Sequence, residues 1–163
     1  MKIINLTVIT TLVITLSLVM SCKPADPLEA YDDLDLMSYG LPIKIKAPKG
    51  AEVESDNLGF IQDVRIKGDE NFYVQIMGGT ATTTDIASIK SEYLTSLKND
   101  KYFSKIVEED EAGFIYEKDL GDGNLNYDFR YIRVQGDKEY IFQRGLVGKY
   151  SIEDIKKMYS AVK

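Results

Sequence analysis

Any chemistry in this chain has to come from carboxylates, hydroxyls, amines and a single thiol, because its 163 residues include no His and one Cys, Cys22. Lack of imidazole removes the commonest general base and the commonest metal ligand, and with them Ser-His-Asp and Cys-His catalysis, His-held haem and zinc sites. Two carboxylates remain: Glu117 and Asp128 form a glycosidase-like pair if both reach one cleft about 5 to 9.5 Å apart. Ser104 and Lys105 are neighbours on an expected strand, where adjacent side chains point to opposite faces, so they do not cooperate. Ser160-Ala161-Val162-Lys163 has Ser-x-x-Lys spacing but occupies the last four positions. Asp122-Gly123-Asn124-Leu125-Asn126-Tyr127-Asp128 places oxygen side chains at alternate positions, as the first half of an EF-hand loop does. Tyr127 stands where that loop needs Gly and Arg133 where it needs Glu, so the stretch reads as a turn, and neither a metal nor a cofactor is expected.

Binding needs less than catalysis. In the stretch 125–134 one strand face carries Leu125, Tyr127, Phe129 and Tyr131, and the other Asn126, Asp128 and Arg130. An aromatic strand face is core with hydroxyls at its rim, or else a ligand or peptide groove lined by Tyr127 and Tyr131. Glu117, Asp128, Arg130 and Gln143, on neighbouring strands, make the alternative binding surface or a set of cross-strand ion pairs. The acidic run Glu108-Glu109-Asp110-Glu111 reads as a solvated turn. With 20 Lys and Arg against 26 Asp and Glu, the net charge of −6 offers no basic footprint for nucleic acid and none for an anionic lipid surface.

The first 21 residues are expected to be a targeting segment. Met1-Lys2 gives a short positive start, Ile3 to Met20 is mostly apolar, and Ser21 provides a small residue before Cys22. Leu18-Val19-Met20-Ser21-Cys22 resembles a bacterial lipobox, which implies cleavage between Ser21 and Cys22 and a diacylglycerol thioether, with palmitate-type acyl chains, on Cys22. An uncleaved membrane-spanning helix is the competing reading, weakened by the Thr content of the run. Removing residues 1–21 leaves 142 residues, and since Lys2 is the one charge lost, the balance moves from −6 to −7. Several acyl chains on one residue hold a protein on a membrane stably, at about 0.8 kcal/mol per buried CH₂.

The elements that would position these residues follow from periodicity. Residues 22–40, with Pro24, Pro27, Asp32, Asp33 and Asp35, read as a lipidated Cys and flexible tether, or as a segment docked through Leu28, Leu34, Leu36 and Met37. Residues 41–163 read as one globular α+β domain. Period-2 alternation predicts strands over 41–47, 60–66 and 72–77, the last two forming a hairpin. A helix follows, capped by Thr83 or Thr84 with Asp85 in its first turn, and Ile86, Ile89, Tyr93, Leu94 and Leu97 along one stripe. Four strands over 103–109, 114–118, 125–134 and 140–147 are separated by Gly- and Asp-rich turns. Ser151 to Asp154 resembles a capping box that opens a final helix with Ile152, Ile155, Met158, Tyr159 and Val162 on one face. The order is βββαββββα: a largely antiparallel sheet of about six to seven strands and two main helices.

That order, with the lipobox and the strand-turn Gly40-Leu41-Pro42-Ile43-Lys44-Ile45-Lys46-Ala47-Pro48-Lys49-Gly50, resembles the PsbP-like and DcrB-like α/β/α sandwich domains over roughly residues 40–163. Ala51 replaces the Trp often found after that turn, and no binding residue of the family carries over. The resemblance implies a non-enzymatic accessory domain, and the chain looks most like an uncharacterised bacterial lipoprotein. The expectation is therefore a lipid-anchored cell-envelope protein facing the periplasm or the cell exterior. It would hold the membrane through covalent lipid and bind an unknown envelope protein or small ligand. The alternative is a carboxylate-based envelope hydrolase.

Overall fold

The stretch with the longest alternation of apolar and polar residues, from Leu125, forms the longest strand of the structure, Leu125–Gln135. The computed structural model describes residues 27–68 and 71–163. The segment 1–21 expected as a leader, the expected cleavage point at Ser21 and Cys22, and residues 23–26 of the expected tether lie outside the described residues. No described helix is long and apolar enough to cross a membrane.

Seven strands make one antiparallel sheet in the order β3-β4-β5-β9-β8-β7-β6. They are β3 (Glu52–Asn57), β4 (Gln62–Lys67), β5 (Tyr73–Thr80), β6 (Phe103–Glu109), β7 (Gly113–Asp119), β8 (Leu125–Gln135) and β9 (Lys138–Arg144). A separate two-stranded sheet pairs β1 (Tyr31–Asp35) with β2 (Lys44–Pro48). Helix α1 (Ile86–Lys98) lies between β5 and β6, and α2 (Ile152–Val162) follows β9. The fold is α+β and mostly antiparallel sheet, with the expected order plus two further strands, β1 and β3.

Both added strands are sheet edges with little apolar signal. In β1 only Tyr31 and Leu34 are turned towards the core, while Asp33 and Asp35 pair with Lys46 and Lys44 on β2 at 3.0 and 3.3 Å. In β3 only Val53 packs inward. Charged side chains on edges of this kind discourage pairing with another chain, and they also hide the strand from hydropathy. Residues 31–40, expected in a flexible tether, are thus part of the folded domain, with Leu36 fully buried and Met37–Tyr39 in a 3₁₀ turn. Of the four side chains considered for docking, Leu28 and Leu34 pack partly against the core and Met37 stays exposed.

The sheet has two differently covered faces. On the first, Val64, Ile66, Val74, Ile76, Ile115, Phe129 and Phe142 meet α2 through Ile155, Met158, Tyr159 and Val162, and meet the β1–β2 hairpin through Leu41, Ile43 and Ile45. Full burial of a side chain of this size is worth about 1.5 to 3 kcal/mol, so this layer dominates stability. Gly78 makes room for the hairpin, since a Cβ there would lie 2.7 Å from Leu41 Cδ2. Arg133 fastens the layer by donating to the carbonyls of Val162 at 2.7 Å and Lys44 at 3.2 Å. On the second face α1 sets Ile89 on Ile132 and Ile141, flanked by Met77, Tyr93 and Val134. One helix covers only part of a seven-stranded face, and the uncovered part is polar.

Local signals at the helix ends are partly as expected. Ser151 and Asp154 complete a reciprocal capping box at α2. At α1 the cap is Asp85 itself, whose carboxylate accepts from the amide of Ala87, while Thr83 accepts from the amide of Asp85 one step earlier. The final strand ends at Arg144, short of the expected 147; the Gly145 amide still donates to Tyr73 O at 2.7 Å in the β5–β9 register, and beyond it β5 offers no further partner because Tyr73 is its first residue.

Candidate functional site

Register decides which of the candidate side chains meet. On β7 and β8, Tyr116 stands opposite Asp128 and Glu117 opposite Tyr127, so successive pairs project from opposite faces of the sheet. Glu117, Tyr127 and Tyr131 therefore belong to the α2 side, and Asp128, Arg130 and Gln143 to the α1 side. The sheet separates Glu117 from Asp128, so the two-carboxylate arrangement expected of a glycosidase is not made by this pair. Of the four residues expected on the polar surface, Asp128, Arg130 and Gln143 share the α1 side, while Glu117 stands on the other face with Tyr127 and Tyr131 of the expected groove.

The α2-side group is largely structural. Tyr131 packs on Phe142 and Tyr159, with ring centroids 5.7 and 6.0 Å apart, and Phe129, between Tyr127 and Tyr131 on the same strand face, is fully buried. The aromatic face of β8 is core instead of a groove. Glu117 is buried too, and accepts from Ser104 Oγ at 2.8 Å with Lys105 Nζ 3.4 Å from its second oxygen. Strict alternation would have sent Ser104 and Lys105 to opposite faces, but the β6–β7 register shifts between Phe103 and Lys105 and lets both reach one carboxylate. The Ser104 hydroxyl, followed by Tyr127 and Lys105, holds the Glu117 carboxyl below the usual range.

On the α1 side the sheet opens. The β8–β9 ladder ends at the Tyr131–Phe142 pair, and beyond it the Asp128 carboxylate fills the splay. One of its oxygens accepts from the amides of Phe129 and Arg144 at 2.7 and 3.3 Å, and the other from Tyr116 Oη at 2.9 Å. Those donors fix Asp128 in place, and with Asn124 turned into the β7–β8 hairpin no calcium loop forms from this stretch. Arg130 donates to Phe129 O and lies 3.4 Å from Asp128. Burial, with the Asp128 charge adding, pushes the Tyr116 hydroxyl far above its usual pKa, so it stays a proton donor at neutral pH.

Beside this cluster a cleft of about 220 Å³ runs between the C-terminal half of α1 and β7–β8. Tyr93, Ser96 and Asp100 form the α1-side wall, and Phe114, Tyr116, Lys118 and Arg130 the sheet wall. Lys118 and Asp100 pair across it at 2.5 Å, and Asp128 answers Arg130, so the cleft has hydrogen-bonding groups in number but little net charge. A hydrogen-bonded relay adjoins it on β9, β5 and β4: Gln143 donates to Gln75 at 2.8 Å, Gln75 to Asp63 at 2.9 Å, and Arg65 to Asp63 at 2.8 Å. Arg65 also pairs with Glu54 and Asp56 on β3. Asp63, Gln75 and Gln143 are all buried, so the relay rigidifies the sheet next to the cleft. A second hollow of about 280 Å³ lies at the far end of the sheet, between Leu41, Phe60, Gly78 and Tyr140.

Asp128, Arg130 and Gln143 of this region are legible in the sequence as polar positions on expected strands, whereas Tyr93, Ser96, Asp100 and Lys118 join it only through the packing of α1 against β7–β8. The i, i+2 pattern of Glu54-x-Asp56 and Asp63-x-Arg65 was a usable sign of the relay, but only once 52–57 is known to be a strand. Among the described residues no group of three or more His, Cys, Asp or Glu is placed to hold a metal ion. No family model, no curated protein and no solved structure matches the chain.

Proposed function

We propose that the chain is a lipid-anchored cell-envelope protein whose domain is a non-enzymatic binding or assembly-accessory module, with the cleft beneath α1 as its recognition site. The observation that carries the anchor is the position of Cys22, the chain's one thiol, directly after an apolar leader and a small residue. Binding by the domain is supported by the cleft itself. Its walls are aromatic and hydroxyl-bearing, its cations are already answered by Asp100 and Asp128, and its floor is held rigid by the hydrogen bonds of Asp128. Such a site favours a neutral polar small molecule or a polar peptide segment over a strongly charged ligand. The non-enzymatic reading is supported by the separation of Glu117 from Asp128 on opposite faces.

Cell fractionation tests the anchor. The wild type is expected in the membrane fraction and Cys22→Ala in the soluble fraction, and unchanged membrane retention of Cys22→Ala would sink the reading. For the cleft, Ser96 lies exposed on its rim. Ser96→Trp should fill the opening and abolish capture of the envelope partner by the intact lipoprotein while leaving its melting temperature unchanged.

A further inference from the structure

We infer that the end of the domain carrying the loop 145–149 rests on the lipid surface, with Leu146 and Val147 inserted at the interface. The inference rests on the lipid-anchor reading of Cys22. From Cys22 to Pro27, where the described chain begins, there are five residue steps, which covalent geometry limits to about 18 Å. The short connection leaves the point where the chain enters the domain close to the bilayer.

Contacts identify that end of the molecule. Tyr31 packs edge-on against Phe72 with ring centroids 5.5 Å apart, and Tyr73 O accepts the amide of Gly145. Lys149 then donates to Asn124 in the β7–β8 turn at 3.0 Å. The chain entry, the loop 145–149 and the turn 120–124 therefore share one end of the sheet. Leu146 and Val147 there are 77% and 74% exposed, and Leu120 in the neighbouring turn is 42% exposed. Adjacent large apolar side chains on a loop tip gain nothing from water and gain interfacial burial beside a bilayer. Phe60 and Leu58 are also exposed, but they lie in the β3–β4 turn at the opposite end, about 20 Å away along the six residues of β4. The anchor thus selects one apolar end for lipid and turns the other, with its 280 Å³ hollow, away from the membrane. Because the domain is acidic overall, the contact is apolar and not electrostatic.

The full lipoprotein can be probed directly, since a lipidated Cys22 leaves no thiol to react. Leu146→Cys and, separately, Phe60→Cys are labelled with an environment-sensitive fluorophore and reconstituted into vesicles of phosphatidylethanolamine and phosphatidylglycerol. The expected result is a blue-shifted emission at position 146 that persists in high salt, with none at position 60. Co-sedimentation with vesicles but no shift at 146, or an equal shift at both positions, overturns the inference alone. Thiol labelling of the wild type, or failure to sediment with vesicles, overturns the anchor reading and this inference together.

Discussion

At Gly113 a single methyl group would be too much. A Cβ there would lie 2.4 Å from Arg130 O and 2.6 Å from Tyr159 Oη, and the first of these is backbone that cannot swing away. Gly113→Ala should therefore cost about 1 to 3 kcal/mol of stability, read from the midpoint of chemical denaturation, by forcing β7 away from β8. Nothing in the sequence marked this glycine apart from the turn it ends. The opposite was true of Ser151 and Asp154, whose spacing announced a capping box that the helix end then uses. The difference is one of range: a cap is closed within three residues, whereas the crowding at Gly113 comes from β8 and α2. Glu117 and Asp128 make the same point. Each was visible as a candidate, but whether they face one another depended on the register of β7 against β8.

Elements were legible where they are amphipathic and obscure where they are edges. The alternation 41–47 marked β2 together with Leu41 and Ile43 leading into it, and the stripe from Ile152 to Val162 marked α2. Strand β1 reads as Tyr-Asp-Asp-Leu-Asp, so acids on its solvent side made a folded edge look like linker. Leu36 separates the two descriptions. A tether would lose nothing on Leu36→Ala, but a fully buried leucine at the turn from β1 leaves a cavity worth about 2 to 5 kcal/mol. Thermal or denaturant unfolding of that variant, with binding of Ser96→Trp measured separately, distinguishes loss of packing from loss of the site. The interrupted alternation at Phe103–Lys105 is a second case. A bulge there could be recognised only from its partner strand, and it puts Ser104 and Lys105 on one carboxylate.

Across the whole molecule the acidic composition has a predictable pH signature. Glu117 is held below its usual range by the Ser104 hydroxyl, and Asp100 by Lys118. Asp35 is held down by the amide of Met37. At Asp110 burial works the other way, but Lys163 and Tyr159 outweigh it and its carboxyl is also lowered. A carboxyl depressed by folding contributes stability above its unfolded pKa and loses it as pH falls through the folded value. Glu139, raised by burial and by Glu92, has the opposite sign and favours the protonated form. With four lowered carboxyls against one raised among the described residues, the melting temperature should hold from neutral pH down to about 5 and fall below about 4.3, the ordinary Glu value. Glu117→Gln should make that acid limb shallower, and an unchanged limb would remove Glu117 from the set.

The absence of imidazole and the order of the strongest elements can be read from the residues alone. No His and one Cys are facts of composition, and hydropathy with a period of 2 or 3.6 needs only nearby residues. Folding in three dimensions sets which strands sit at the edges, brings residues 31–40 into the domain, and parts Glu117 from Asp128 across the sheet while α1 leaves a polar cleft over Tyr116, Lys118 and Arg130. These depend on register and on coverage of a face. Both are set by contacts between residues far apart in the chain, and a local pattern does not contain them.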